Sequence, residues 1–287
     1  MRYEQMKIKN LLLTSVLVIL SLFIWLPIWM LLTGSFMGED EAYRNIGPIL
    51  DQAKGMADWS LLPQYPTLRP YVELLLDSPS FFVMFWNSCI QVFPVLVCQI
   101  GIAVPAAWAF ARFDFKGKKL FFTLYMILMI LPFQVTMVSS YLVLDKFHLI
   151  DTHLAMILPN IFSTFPVFIL VKFFRAIPSS YIEAAKLDGG GEGYIFFKIG
   201  VPLGKPGIIS IVILGFLEYW NAIEQPLTFL SRRKDLWPLT LYLPDISLER
   251  AGLAFAASVI IMIPALLLYL WGQNYLVQGI AASGLKE

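Results

Sequence analysis

Charge is what this chain has least of. Only 14% of its 287 residues are charged and 58% are apolar, where soluble domains run nearer a quarter charged and half apolar. That balance excludes a water-soluble globule. Lys and Arg number 21 against 20 Asp and Glu, a net charge of +1, so no basic excess points to nucleic acid. The two cysteines, Cys89 and Cys98, lie nine apart in one apolar segment. At 3.6 residues per turn they face opposite sides of a helix and should not pair, so both are expected as buried free thiols. The two histidines, His148 and His153, flank Asp151 with no further ligand nearby, and no metal site is expected there. A phosphate loop is also missing. The glycines from 189 to 193 invite one, but G-x-x-x-x-G-K-[ST] fails: Gly204-Lys205 runs into Pro206, and Ile199 stands at the earlier glycine position. No G-x-G-x-x-G is completed, and no nucleophile–base–acid set stands out. The chain is therefore expected to be no enzyme and to bind no cofactor directly.

What is present is a series of long apolar runs. Leu11 to about Leu32 follows a polar, basic start and is longer than a signal core, with no small-x-small cleavage site before Glu39. It predicts a retained spanning helix, in which Pro27 is tolerated. Phe81 to about Phe110, with kinks expected at Pro94 and Pro105, is a second span. Leu120–Tyr141, Leu154–Phe174, Gly207–Leu230 and Ala251–Tyr275 make six. The expectation is an all-α membrane protein. Its parts are residues 1–33 (tail and first span), a loop over 34–80, a core of the remaining spans over 81–280 with a loop at 175–206, and a tail at 281–287. Within the first loop, short helices are predicted at Tyr43–Lys54 and Arg69–Leu76. Trp59, Leu61, Leu62 and Tyr65 predict some packing there.

Six spans put both termini on one side. With the N-terminus inside, the inner segments hold Arg2, Lys7, Lys9, Arg112, Lys116, Lys118, Lys119, Lys172, Arg175, Lys186, Lys198, Lys205 and Lys286. The outer ones hold Arg44, Lys54, Arg69, Lys146, Arg232, Arg233, Lys234 and Arg250. The bias favours cytoplasmic termini. Arg232-Arg233-Lys234 runs against it.

One polar island stands between the fourth and fifth runs. Ser180-Tyr181-Ile182-Glu183 reads as a capping box opening a short helix to about Asp188. Gly189, Gly190, Gly191 and Gly193 stop that helix. A second short helix follows over Tyr194–Ile199, and Pro202, Lys205 and Pro206 close the unit. Ala184 and Ala185 permit close approach by a partner, and Glu183 or Asp188 suits a basic group. The plain alternative is an ordinary loop with a good N-cap.

Glu183-Ala184-Ala185, Asp188-Gly189, Phe196 or Phe197, Ile199 and Pro202 resemble the EAA loop of ABC importer permeases. The resemblance extends over roughly residues 83–280. It is carried by Asn87-Ser88, Ala109, Arg112-Phe113, Phe115, Gly117-Lys118, Leu131-Pro132, Leu149-Ile150-Asp151-Thr152 and Leu158-Pro159. Phe174-Arg175, Ile177-Pro178, Trp220-Asn221 and Pro226-Leu227 continue it in the family's order. It is similar to the carbohydrate-uptake branch, the maltose-transporter type of second permease subunit. Gly190-Gly191 departs from it, since the family carries Ala then Ser, and a looser turn is the expected result. The resemblance implies a type I importer fold in a bacterial inner membrane. It also implies a heterodimer with a sibling permease, two ATPase subunits that bind the ATP, and an extracytoplasmic solute-binding protein. Glu183, Ala184, Ala185, Asp188 and Gly189 would then form the ATPase-coupling surface.

Charges inside spans are costly and usually functional. Glu218, Asn221 and Gln225 fall at i, i+3 and i+7 with Trp220 beside them, a polar face suited to a sugar path. An interhelical hydrogen-bond cluster that fixes packing explains them equally. Asn87, Ser88, Gln91, Gln134 and Thr136 are weaker candidates of the same kind. A reading from another class stays open: a self-sufficient proton-coupled carrier or channel in which Glu218 titrates.

Overall fold

The computed structural model describes residues 2–50, 60–242 and 251–284. Trp59, the Lys54 end of the helix expected over 43–54, Arg250 and Lys286 lie outside the described residues. The chain divides into two compact units, residues 1–82 with 242–263 and residues 83–241 with 264–287.

In the first unit, α1 (Arg2–Gly34) carries the apolar stretch Asn10–Gly34, with a mean hydropathy of 2.6 and Pro27 inside the helix. Near its end, the Trp29 indole N–H donates to the Leu61 carbonyl (2.8 Å). α2 (Glu39–Leu50) starts four residues earlier than expected. The cause is its first turn, Glu39-Asp40-Glu41, where negative charge meets the positive end of the helix dipole. The buried Glu41 carboxylate accepts from the backbone N–H of Gln64 (2.7 Å) and Tyr65 (3.3 Å), which fixes the loop before α3. α3 (Arg69–Leu76) has the predicted bounds, opened by a proline in its first turn.

The second unit holds most of α4 (Pro79–Arg112), which stays helical through Pro94 and Pro105. The third expected span is not one straight helix. α5 (Lys118–Ile130) and α6 (Phe133–Lys146) meet at 102°, because Pro132 forces Leu131 into extended backbone. α7 (His153–Ile161) and α8 (Thr164–Ala176) make up the fourth. α9 (Ser179–Leu187) and α10 (Glu192–Leu203) follow, with a π-helical stretch at Phe196–Gly200 inside α10. Pro202, Lys205 and Pro206 do not close this unit as expected. α10 bends by 65° straight into α11 (Lys205–Trp220), whose first turn accepts Pro206 because no N–H is needed there. α11 ends well before Leu230, and a short α12 (Glu224–Phe229) completes the fifth run. α13 (Ala251–Gly284) continues helical beyond the expected Tyr275. Among the described residues, four helical stretches are long and apolar enough to cross a membrane, and up to six crossings result if each bent pair counts as one.

The core of the second unit lies where α4, α8 and α10 meet. Ala107, Trp108, Leu170, Val171, Phe174 and Ile195 are buried together there. α5 joins through Phe122, stacked on Phe168 at 6.2 Å. A second cluster gathers Leu144 of α6, Met156 of α7, and Phe229 and Leu230 at the end of α12. Cys89 and Cys98 are free thiols, half-buried rather than fully buried.

Candidate coupling surface and translocation path

The α9–α10 unit is built from its turn outward. Gly189 sits at φ +82°, a left-handed conformation that costs side-chain-bearing residues energy. Its N–H reaches the Lys186 carbonyl (3.1 Å), and the Gly190 N–H reaches the Ala185 carbonyl (2.8 Å). These two bonds are the complete Schellman pattern, so the last carbonyls of α9 are satisfied. The turn thus closes through the N–H groups of Gly189 and Gly190, despite the glycine at 191. Lys186 and Glu192 pair across it at 2.6 Å.

The N-terminus corrects the sequence reading. α9 begins at Ser179 with Pro178 at the N-cap and no side-chain capping bond. Ser180 is therefore already inside the first turn, where its hydroxyl cannot cap, and the capping box with Glu183 does not form. Glu183 is left exposed and uncommitted. Ala185 and Ile182 face the core, while Glu183, Ala184, Asp188 and Gly189 face out. Ala184 is exposed and Ala185 buried, yet both line one cleft. Leu187 is 88% exposed at the tip. A cleft of about 540 Å³ runs along this face, lined by Tyr181, Ala184, Asp188, Gly191, Tyr194 and Lys198 among others.

Behind that face the unit is keyed to the membrane helices. Arg112, at the end of α4, donates from Nη2 to the carbonyls of Phe174 and Ile177, just before α9. Trp108, one turn earlier, meets Phe174 edge-on at 5.3 Å and Phe196 at 5.8 Å. Gly200 and Gly204 let these rings close in: a Cβ at Gly200 would lie 2.6 Å from the Trp108 ring, and one at Gly204 would overlap Phe174. Sequence reasoning missed Trp108 and this pair. The signal was present, since Gly200-x-x-x-Gly204 is a small-residue spacing typical of close helix approach.

The expected path face does not exist as one stripe. α11 stops at Trp220, and the Asn221 amide folds back on the Leu217 carbonyl (2.7 Å). Trp220 is 2% exposed, stacked on Phe216 at 5.1 Å, so it packs instead of lining a path. Gln225 lies on α12 and exchanges hydrogen bonds with the Asn160 amide (2.8 and 3.2 Å). Gln99 donates to the Asn160 carbonyl (2.7 Å) and the Tyr219 hydroxyl (2.6 Å), extending this into a polar network. Glu218 alone of the four stays exposed on a helix. A second exposed polar group, unforeseen, is the Glu224 carboxylate, which accepts twice from the Gln134 amide (2.9 and 2.7 Å). Thr136 bonds only its own helix, to the Phe133 carbonyl.

The weaker candidates on α4 prove to be anchors. Asn87 donates to the carbonyls of Asp235 (2.7 Å) and Trp237 (3.1 Å), and Gln91 to that of Leu236 (2.9 Å). Ser88 accepts from the Leu239 N–H (2.8 Å). Asp151, at φ +61°, accepts from the Arg232 N–H (3.0 Å). The basic run thereby acquires a structural setting: Arg233 is paired with Asp235, and Lys234 lies over the Trp237 ring.

A glycine-turned helix pair between membrane-crossing helices is the arrangement of an ABC importer permease subunit. Residues 99–282 match the family of binding-protein-dependent transport system inner membrane components, and the chain belongs to that family. It is 29% identical over 264 residues to the arabinooligosaccharides transport system permease protein AraQ of Halalkalibacterium halodurans, covering 91% of this chain and 90% of that one. It is 31% identical over 268 residues to the sulfoquinovosyl glycerol transport system permease protein SmoH of Agrobacterium fabrum, covering 90% and 87%. The fold matches a chain of a bacterial ABC transporter involved in the import of the acidic polysaccharide alginate. That match has a TM-score of 0.77 at 21% identity and covers 94% of this chain and 96% of the other. The protein is thus a multi-pass inner membrane component of an importer, a transport subunit.

Proposed function

We propose that this chain is one of two sibling permeases in an ATP-driven sugar importer, with its α9–α10 unit docked on an ATPase subunit. The observation that carries this is the closed turn at Gly189. It holds α9 rigid while leaving Glu183, Ala184, Leu187 and Asp188 exposed beside an open cleft. A stiff exposed helix tip backed by a packed core transmits force, which a channel or proton-driven carrier has no need to do. Two ATPase subunits bind the ATP, so this chain needs no cofactor of its own. A solute-binding protein delivers substrate on the opposite side. The lysine and arginine bias supports a cytoplasmic position for both termini and α9–α10.

Sugar as the substrate follows the oligosaccharide and glycoside named for the relatives. Exposed Glu218 and the Glu224–Gln134 pair supply the hydroxyl-binding groups of a path. Polar side chains at membrane depth belong on a water-filled route or a subunit contact, because lipid does not solvate them. The coupling reading is tested by Gly189→Val in the assembled importer in liposomes. A side chain at φ +82° opens the turn, so ATP hydrolysis should continue while uptake falls. Uptake at the wild-type rate per ATP would refute the reading.

A further inference from the structure

Trp108 sits in a socket with walls from two other helices. It is 4% exposed. Phe174 of α8 and Phe196 of α10 pack on it, and Gly200 of α10 lies directly against the ring. Its indole N–H has no hydrogen-bond partner among the described residues, so the packed rings and the overlying Arg112 place it. Phe196 and Gly200 are the two ends of the π-helical stretch, so that irregular turn brings both against one ring. Arg112 lies over the same ring at 5.6 Å and ties the last turn of α4 to the carbonyls that precede α9. A close-packed contact of this kind does not compress. A displacement of α10 must therefore carry Trp108 with it or break the socket.

The other end of α4 is fastened by different means. Asn87, Ser88 and Gln91 hold the backbone of residues 235–239 through four hydrogen bonds. From 87 to 108 the helix spans about 31 Å, a hydrocarbon thickness. α4 is thus a rod with a ring socket at one end and a gripped loop at the other.

We propose that Trp108, seated on Gly200, is the positioning residue that passes movement of the α9–α10 unit into α4 and so to the loop at 231–241. The proposal rests on the coupling reading above. The experiment uses the importer assembled with its partner subunits in liposomes. Arg232→Cys serves as the reporter in a Cys89→Ser, Cys98→Ser background. The rate of modification by an impermeant maleimide is compared before and after trapping with ATP and vanadate. Trapping should change that rate by about fivefold or more, in keeping with the size of coupling along packed networks. Gly200→Ala should remove the change, because its methyl group collides with the ring. Trp108→Phe in the Gly200→Ala background withdraws the colliding atoms and should restore it.

Restoration supports the keyed contact, since the response then follows the fit of the ring against the glycine. Failure of Trp108→Phe to restore the response, or a full response from Gly200→Ala alone, overturns the proposal. So does an unresponsive reporter in the otherwise native chain. Gly189→Val in the same assay separates the two levels. If it too responds fully, the coupling reading falls. If it is silent while Gly200→Ala responds, only the role of Trp108 falls.

Discussion

At Trp108, α4 is held by rings; at Asn87 and Gln91 it is held by backbone carbonyls. The ring end belongs to a large apolar cluster with contributions from α4, α8 and α10, where contact is non-directional and every atom lost leaves a void. The carbonyl end is a handful of directional bonds, each replaceable in part by water or a neighbouring donor. The two ends also differ in sequence range. Trp108 meets residues within about a hundred positions, while Asn87 reaches partners 148 and 150 positions away. A helix fastened this way should be stiff against translation at the ring end and able to rotate its partner loop at the other. Packing sets the stability of the unit, and hydrogen bonds set the conformation of the loop.

The sharpest way to break that comparison is Phe174→Ala. Phe174 is fully buried against Trp108, and truncating a buried Phe costs about 3–5 kcal/mol. The assembled or detergent-held protein should melt well below the native chain, or fail to accumulate. Asn87→Ala tests the other end. Two interhelical-type hydrogen bonds are lost, and such bonds in membrane proteins are worth roughly 0.6–2 kcal/mol. The melting temperature should move much less, while protease sensitivity near residues 231–241 should rise. If Asn87→Ala lowers stability as much as Phe174→Ala, the division between a packed end and a bonded end is wrong.

Glu218→Ala sharpens a different contrast, between exposed and networked polar groups. Glu218 is exposed on α11, whereas Gln99, Asn160 and Gln225 bond one another. If Glu218 lines the path, uptake rate or substrate range should change with little effect on melting. Gln99→Ala should do the reverse. Native transport kinetics combined with a lowered melting temperature in Glu218→Ala would assign Glu218 to packing.

Periodicity and proline placement made the helix order legible in advance, down to the bounds of Arg69–Leu76 and the left-handed Gly189. What they hid has specific causes. The capping box failed because Pro178 takes the N-cap position and moves Ser180 into the first turn, a shift of two residues that local pattern does not resolve. The stripe of Glu218, Asn221 and Gln225 assumed a helix continuing past Trp220. The chain turns at Asn221, where the amide bonds back to Leu217, while Gln225 bonds Asn160 and Glu218 stays exposed. The partners of Asn87, Ser88 and Gln91 lie in a loop almost 150 residues on, and nothing local announces them. Gly200-x-x-x-Gly204 was visible throughout, but its meaning depends on which rings stand opposite.

The smallest effect concerns the basic run in the gripped loop. The hydrogen bond from Arg233 holds the Asp235 carboxyl below the usual carboxylate range, and Asp235 in turn raises Arg233. For a depressed carboxylate, the stabilisation is present above its ordinary pKa and lost as pH falls through the lowered value. Arg233 stays charged throughout, so only the acid side matters. Both groups are fully exposed, and screening keeps their contribution small. Amide protection factors across residues 231–236, corrected for the intrinsic pH dependence of exchange, should therefore fall slightly on acidification in the native chain. In Asp235→Asn they should be equally low at both pH values. The carbonyl of Asp235 remains gripped by Asn87 in either case, so the change should stay within those residues. Spread of the acid effect to residues 237–241 would mean that the ion pair, not the α4 side chains, holds the loop.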